Sequence, residues 1–275
     1  MSGISAATLT VGVIGAPVRH SLSPALHNAA FAARDLDWRM LAFEVAARRG
    51  AAAVAAMVTL GVRGLAVTMP HKADVAGAVD ELDPAAAALR SVNTVVLRAD
   101  GSTLGASTDG PGFVDSLEAA GYAVAGRRVV VLGAGGAARS IVVALGSAGA
   151  ADVAIVNRSV ASAEECAALH GRVGALDDIA DADLLVNTTP VGMGASGELP
   201  VPAGVLREGL AVADIVYHPL ETPLLAAARS AGAVAIDGLG MLVHQAARQQ
   251  ALWTGTVADP AVMRAAAERE LARRR

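Results

Sequence analysis

RRVVVLGAGGAARSIVVAL, residues 127–145, is the stretch on which the fold turns. A short apolar run leads into glycines and then into an apolar segment at helical spacing. Gly133, Gly135 and Ala138 fit the pattern G-x-G-x-x-G/A. A glycine triplet alone says little. Placed after a strand, at the start of a helix and before a second strand (DVAIV, 152–156), it predicts a dinucleotide-binding βαβ unit. The first glycine permits the tight turn. The second lets the backbone approach a pyrophosphate, which then sits on the helix N-terminus. About twenty residues on, a free ribose 2′-hydroxyl would call for Asp or Glu. The chain offers Asn157, Arg158 and Ser159 there, and an arginine suits a 2′-phosphate. NADP is therefore expected in preference to NAD.

Outward from this unit, short apolar runs alternate with Ala-rich helical stretches: TLTVGVIG, GLAVTM, SVNTVVL, DLLVNTT, LAVADIV and AVAID. Strands alternating with helices predict an α/β fold with largely parallel sheets. STDGPGFVDSLEAAG reads as a connector helix with Pro111 near its first turn, which puts a domain boundary near residue 108. With 275 residues the chain suits two domains of ordinary size. Net charge is −4, against the basic face of a nucleic-acid binder. The basic end Arg273, Arg274, Arg275 reads as a solvated tail. Cys166 stands alone, which excludes a disulfide framework and a thiolate metal cluster, and the histidines lack H-x-x-x-H spacing, so no metal is expected. Met1 to Val18 has no basic start and is cut by Gly, Ser and Thr, so neither signal peptide nor membrane span is read. A soluble cytoplasmic protein, monomer or homodimer, is the expectation.

Two features of the first block point to chemistry. In HSLSP, Ser23 reads as an N-cap and Pro24 as the first helical residue, and the hydroxyls of Ser21 and Ser23 make a site for a small carboxylate. AVTMPHK ends on Lys72, the only lysine among 22 basic residues. A guanidinium stays protonated in proteins, whereas an ε-ammonium can be tuned to exchange its proton near neutral pH.

From Val11 to Gly255 the chain resembles the shikimate dehydrogenase family. The matching stretches are VIGAPVRHSLSPALHN, VTMPHK, VNTV, STDGPG, VLGAGGAAR, NRS, NTTPVGM, YHPLETPLL and GLGMLVHQAA, in that order. The resemblance implies a two-domain α/β fold with a cleft between the domains. Residues 1–107, completed by helices in 239–275, would form the substrate domain, and 108–238 a Rossmann-like NADP domain. It implies reversible, NADP-dependent reduction of 3-dehydroshikimate to shikimate. Lys72 and Asp109 would be the catalytic pair. Ser21 and Ser23 would bind the substrate carboxylate, with Thr68, Asn93, Gln245 and Tyr217 contacting the rest of the substrate. Gly133, Ala134, Gly135, Gly136 and Ala137 would cradle the pyrophosphate, and Asn157, Arg158 and Ser159 the adenosine end. Ile215, Gly238 and Met241 would lie near the nicotinamide.

The chain departs from the family pattern at Ala66 and Ser107, where asparagines are usual, at Arg90-Ser91 in place of Gly-Ala, and at Ser162 in place of a second basic residue. Ala66 and Ser107 each precede a candidate site residue by two positions and would share its strand face, which suggests a reshaped polar network. Quinate or aminoshikimate dehydrogenase is the alternative within the family. A cofactor-binding regulatory protein without turnover is the alternative outside it, and retention of both Lys72 and Asp109 argues against that.

Overall fold

The computed structural model of the chain describes residues 4–194 and 196–274. It divides into two compact units, Met1–Thr108 with Val243–Arg275, and Asp109–Leu242.

The first unit is built on six strands: β1 (Leu9–Gly15), β2 (Trp38–Glu44), β3 (Gly64–Val67), β4 (Glu81–Leu82), β5 (Thr94–Leu97) and β6 (Thr103–Ala106). Their order across the sheet is β2-β1-β3-β5-β6-β4. The pairs β1–β2, β1–β3 and β4–β6 are parallel, but β5 runs antiparallel to both β3 and β6. The expectation of largely parallel sheets fails here for a local reason. The Asp100-Gly101 turn, with Gly101 at φ +87° and Arg98 N–H bonded to the Ser102 carbonyl, folds β5 and β6 into a hairpin. Strand β2 was not apparent in the sequence because it edges the sheet and leaves Leu41 to Glu44 exposed, which blurs its alternation.

Helices α1 (Ser23–Ala33), α2 (Gly50–Leu60), α3 (Lys72–Ala76) and α4 (Pro84–Leu89) follow strands of this sheet. In the second unit come α5 (Asp109–Ala119), α6 (Gly136–Ser147), α7 (Val160–Ala167) and α8 (Pro223–Ser230). Helix α9 (Gly238–Thr254) carries the chain back into the first unit, and α10 (Pro260–Arg273) ends it there. Three helices start with the same dipeptide logic. Asp83-Pro84, Thr222-Pro223 and Asp259-Pro260 each pair a capping side chain with a proline whose missing N–H costs nothing at that position.

The second unit holds β7 (Arg128–Leu132), β8 (Asp152–Val156), β9 (Arg172–Val173), β10 (Leu184–Asn187), β11 (Ala211–Asp214) and β12 (Val234–Ile236). All pairings are parallel, in the order β12-β11-β10-β7-β8-β9. Numbered within the unit this is 6-5-4-1-2-3, the Rossmann order, with its switch point between β7 and β10. Both sheet faces are covered: Val129 and Val131 pack with Ile141 and Leu145 on one side, and Val130 and Leu132 with Leu210 and Leu224 on the other. A core with few aromatics depends on close backbone approach. A Cβ on Gly64 would run into the Trp253 indole nitrogen and the Val95 carbonyl.

The basic end is solvated, as composition suggested, yet Arg273 and Arg274 are held in place. Arg273 closes α10, and the Arg274 guanidinium donates to Glu270, to the His20 carbonyl at 2.6 Å and to the Ser21 carbonyl at 3.5 Å. Arg275 lies outside the described residues, as do 1–3 of the Met1–Val18 stretch. No helix among the described residues is long and apolar enough to cross a membrane.

Candidate active site

In the first unit the strands lead toward Ser21, Ser23, Thr68, Lys72 and Asn93 at one end of the sheet, while Gln245 comes from α9. Strand β1 ends at Gly15 and feeds the loop that reaches Ser21 and Ser23. Strand β3 ends at Val67 and passes into Thr68 and Lys72. Because β5 is antiparallel to β3, its first residues lie at the same end: Ala66 pairs with Thr94, and the Val67 N–H donates to the Asn93 carbonyl at 2.7 Å. Strand β6 returns there too, leading through Ser107 and Thr108 to Asp109.

The Ser21 hydroxyl donates to that of Ser23 at 3.1 Å and accepts the Ser23 N–H at 3.2 Å. Ser23 is not the N-cap. The first intrahelical bond runs from the Leu26 N–H to the Leu22 carbonyl, so Leu22 is the cap, and no side chain caps the helix. Leucine has no side-chain acceptor to offer, and the Ser21 and Ser23 hydroxyls meet each other instead. Arg274 steadies the same loop through the His20 and Ser21 carbonyls.

Lys72 opens α3. Its carbonyl accepts the Val92 N–H at 3.0 Å, which ties the lysine to the residue before Asn93. His71 is fully buried and donates Nε2–H to the Val45 carbonyl at 2.8 Å; a carbonyl can only accept, which fixes the tautomer. Asn93 Nδ2 donates to Thr108 Oγ1 at 2.9 Å, and its Oδ1 accepts the Thr94 hydroxyl and the Thr108 N–H, both at 2.9 Å. Gln249 of α9 donates Nε2–H to the Asn93 carbonyl at 3.2 Å and to Thr94 Oγ1 at 3.1 Å. That leaves its Oε1 to accept Nε2–H from His27, at 3.2 Å. Burial of this ring lowers the His27 pKa from 6.5 to about 4, outweighing the Gln249 bond, which acts the other way. Gln245, one turn before Gln249, is buried.

Ala66 packs in an apolar cluster with Val11, Val13, Phe31, Met40 and Trp253. Ser107 lies past the end of β6, where its N–H donates to Asp83 Oδ2 at 3.2 Å. One departure from the family pattern thus sits in hydrophobic packing, and the other lies past the end of β6, so no regular strand gives Ser107 and Asp109 a shared face.

In the second unit, Gly133 sits at φ +103°, and a Cβ there would come 2.5 Å from Thr188 Oγ1. Thr188 follows β10, so the turn lies at the topological switch point. Gly135 and Gly136 are exposed, a Cβ on either would meet nothing within 4 Å, and no side chain caps α6. Open glycines over unpaired helix N–H groups fit a dinucleotide pyrophosphate. At the end of β8, Asn157 Nδ2 donates to the Ser159 carbonyl, and Ser159 caps α7. Arg158 is exposed and makes no ion pair among the described residues.

Ile215, Gly238 and Met241 come together. A Cβ on Gly238 would collide with the Ile215 carbonyl group, and Met241 and Ile215 pack on the same core. Beneath them the buried Asp214 carboxylate accepts from Thr222 (2.7 Å), Asn187 (2.9 Å) and the Val216 N–H (3.1 Å). Burial raises its pKa, and these bonds offset part of the rise. Asn187 in turn accepts from Thr189, which fixes the loop after β10. Asp109 is the first residue of α5, and Tyr217 follows β11, half-buried.

Three family models match the chain: the shikimate dehydrogenase substrate binding domain over residues 13–95, shikimate/quinate 5-dehydrogenase over 117–191, and the shikimate 5′-dehydrogenase C-terminal domain over 238–268. A shikimate dehydrogenase (NADP(+)) of Methanopyrus kandleri is 44% identical over 96% of this chain and 96% of its own length. The chain belongs to the shikimate dehydrogenase family. A solved Thermus thermophilus shikimate 5-dehydrogenase in complex with NADP(H) and shikimate superposes with a TM-score of 0.90 at 36% identity, covering 95% of this chain and 99% of that one. A 5-ketofructose reductase of Gluconobacter sp. strain CHM43 gives 0.89 at 34% identity, covering 97% and 100%.

In this member of the shikimate dehydrogenase family the structure adds residues that the motifs did not single out. His27, Thr94, Thr108 and Gln249 form the polar lattice behind Asn93, and Asn187, Asp214 and Thr222 the one behind Ile215. His27, Thr94, Thr108, Asn187 and Thr222 lie inside the matching stretches HSLSPALHN, VNTV, STDGPG, NTTPVGM and YHPLETPLL, which was the available signal. Gln249 stands just beyond one.

Proposed function

We propose that this chain catalyses the reversible, NADP-dependent reduction of 3-dehydroshikimate to shikimate. The observation that carries the reading is the chain's single lysine, Lys72, whose carbonyl accepts the Val92 N–H beside Asn93. When bound, NADPH supplies the hydride. Reduction of a ketone leaves negative charge on oxygen, and Lys72 donates a proton to it; in the reverse direction the amine takes the proton back. Asp109 is its partner in that exchange. Acid–base assistance of this kind is worth about 10²–10⁴ in rate. The paired hydroxyls of Ser21 and Ser23 hold the substrate carboxylate. Asn93, Thr68 and Gln245 orient the ring hydroxyls, Asn93 with its rotamer set by Thr94 and Thr108, and Tyr217 contacts the substrate as well. Gly133 to Ala137 receive the pyrophosphate, Arg158 the 2′-phosphate, and Asn157 and Ser159 the adenosine end. Ile215, Gly238 and Met241 flank the nicotinamide.

A second reading follows from the structural likeness to a 5-ketofructose reductase and from Ala66 and Ser107: a related polyol or quinate is the substrate. The test is nicotinamide absorbance with shikimate, quinate, aminoshikimate and 5-ketofructose, each against NADP(H) and NAD(H). The first reading expects the highest kcat/KM for shikimate with NADP. A higher value for any other pair overturns it.

A further inference from the structure

Helix α3, which carries Lys72, is only five residues long. A helix this short does not hold itself in water, because its few backbone bonds return less than nucleation costs. Its placement is set by neighbours. Ahead of Lys72, buried His71 bonds the Val45 carbonyl. Behind it, Asp74 directs Oδ2 away from its own helix, to the N–H of Gly50 at 2.6 Å and of Ala51 at 3.3 Å, where α2 begins. Helix α2 has no capping side chain of its own, since its N-cap residue is Arg49. The lysine helix therefore supplies the cap for α2. Gly50 makes the approach feasible: a Cβ there would come 2.7 Å from Asp74 Oδ2 and 3.1 Å from the side chain of Val75, which is fully buried.

We propose that Asp74 is a positioning residue for Lys72. Its two bonds to the first turn of α2, with the His71–Val45 bond on the other side, form a brace across α3 that sets the direction of the lysine amine. The inference rests on Lys72 serving as the proton donor. Asp74 lies two residues from Lys72, so the two side chains leave the helix on different sides, and Asp74 acts through the backbone.

If Asp74 merely caps α2, a cap supplied from elsewhere replaces it. If Asp74 aims Lys72, such a cap restores stability and leaves turnover impaired. The experiment compares the parent with Asp74→Ala, Asp74→Asn, Arg49→Asp and the Arg49→Asp/Asp74→Ala double variant. Arg49→Asp places a capping carboxylate at the N-cap of α2 itself. Melting temperature, kcat and KM for shikimate are measured for each. Protein labelled with ¹³C at lysine Cε gives a single lysine signal, whose pH titration reports Lys72 directly.

Asp74→Ala is expected to lower kcat at least ~10-fold with KM within about twofold, since a misplacement near 1 Å can cost up to ~10² in rate. Asp74→Asn keeps a carbonyl acceptor and should hold kcat within about threefold of the parent. The double variant should regain the parent melting temperature, keep the low kcat, and show a displaced Lys72 titration. Recovery of kcat in the double variant, or a Lys72 titration unchanged in it, overturns the proposal, and the double variant decides the matter even if Asp74→Ala alone fails to fold. Lys72→Met is the control for the underlying reading: if it turns over like the parent, the role of Lys72 fails; if it is inactive while the double variant is not, only the role of Asp74 fails.

Discussion

His27 gives the protein a pH-dependent stability whose size follows from its surroundings. The ring is fully buried, donates Nε2–H to Gln249, and among the described residues has no partner at Nδ1. Protonation would place a charge in an apolar setting beside Phe31 and Trp253, which lowers the folded-state pKa from 6.5 to about 4. A depressed histidine pKa means the unfolded chain binds the proton first. Stability is thus complete above pH 6.5 and is lost as pH falls toward 4. Each tenfold weakening of proton affinity on folding corresponds to roughly 1.4 kcal/mol, so the full loss is about 3 kcal/mol, and about 2 kcal/mol of it falls between pH 7 and 5. The assay is urea unfolding of the parent and of His27→Met at half-unit steps across that range. The variant loses a hydrogen bond at every pH, so its curve starts lower, but the difference between the two curves should shrink by about 2 kcal/mol on acidification. Parallel curves would refute the reasoning, as would a His27 Cε1 proton signal that titrates near 6.5 in the folded protein.

Other expectations concern the candidate site. Lys72→Arg keeps the charge but cannot return a proton, so its kcat should fall by at least ~10²-fold, close to Lys72→Ala; turnover within about threefold of the parent would remove proton transfer from that position. Arg158→Ala should raise KM for NADP by about 10- to 150-fold and leave NAD nearly unchanged, as read from initial rates with each cofactor. Ser21→Ala and Ser23→Ala should raise KM for shikimate more than they lower kcat.

The Rossmann half was legible because each signal is local: a strand, glycines and a helix within residues 127–145, with Gly133 demanded by a positive φ and by Thr188. The substrate half was legible in its motifs and less so in its mechanics. The His27–Gln249 bond spans 222 residues, and no spacing rule links the two. Ser23 has the composition of a cap, yet its hydroxyl meets Ser21, and only the folded chain separates those uses. Arg274 looked like one of three terminal arginines, and the carbonyls it holds are at the opposite end of the chain. Asp74 was invisible for a similar reason, since a carboxylate capping another helix leaves no sequence signature.

The first unit is discontinuous, made of Met1–Thr108 and Val243–Arg275, whereas Asp109–Leu242 is one unbroken segment. On a ribosome that asymmetry sets an order of assembly. The early part of the first unit emerges with His27 lacking Gln249 and with the Trp253 place in its core unfilled. At about 5–20 residues per second it waits roughly 7–27 s for the intervening stretch to be synthesised. The Rossmann unit, contiguous and built on parallel neighbours, has everything it needs once the start of α9, through Leu242, is translated. The half that begins first is therefore finished last, and during that interval the unfilled Trp253 position is apolar surface open to chaperones or to other nascent chains.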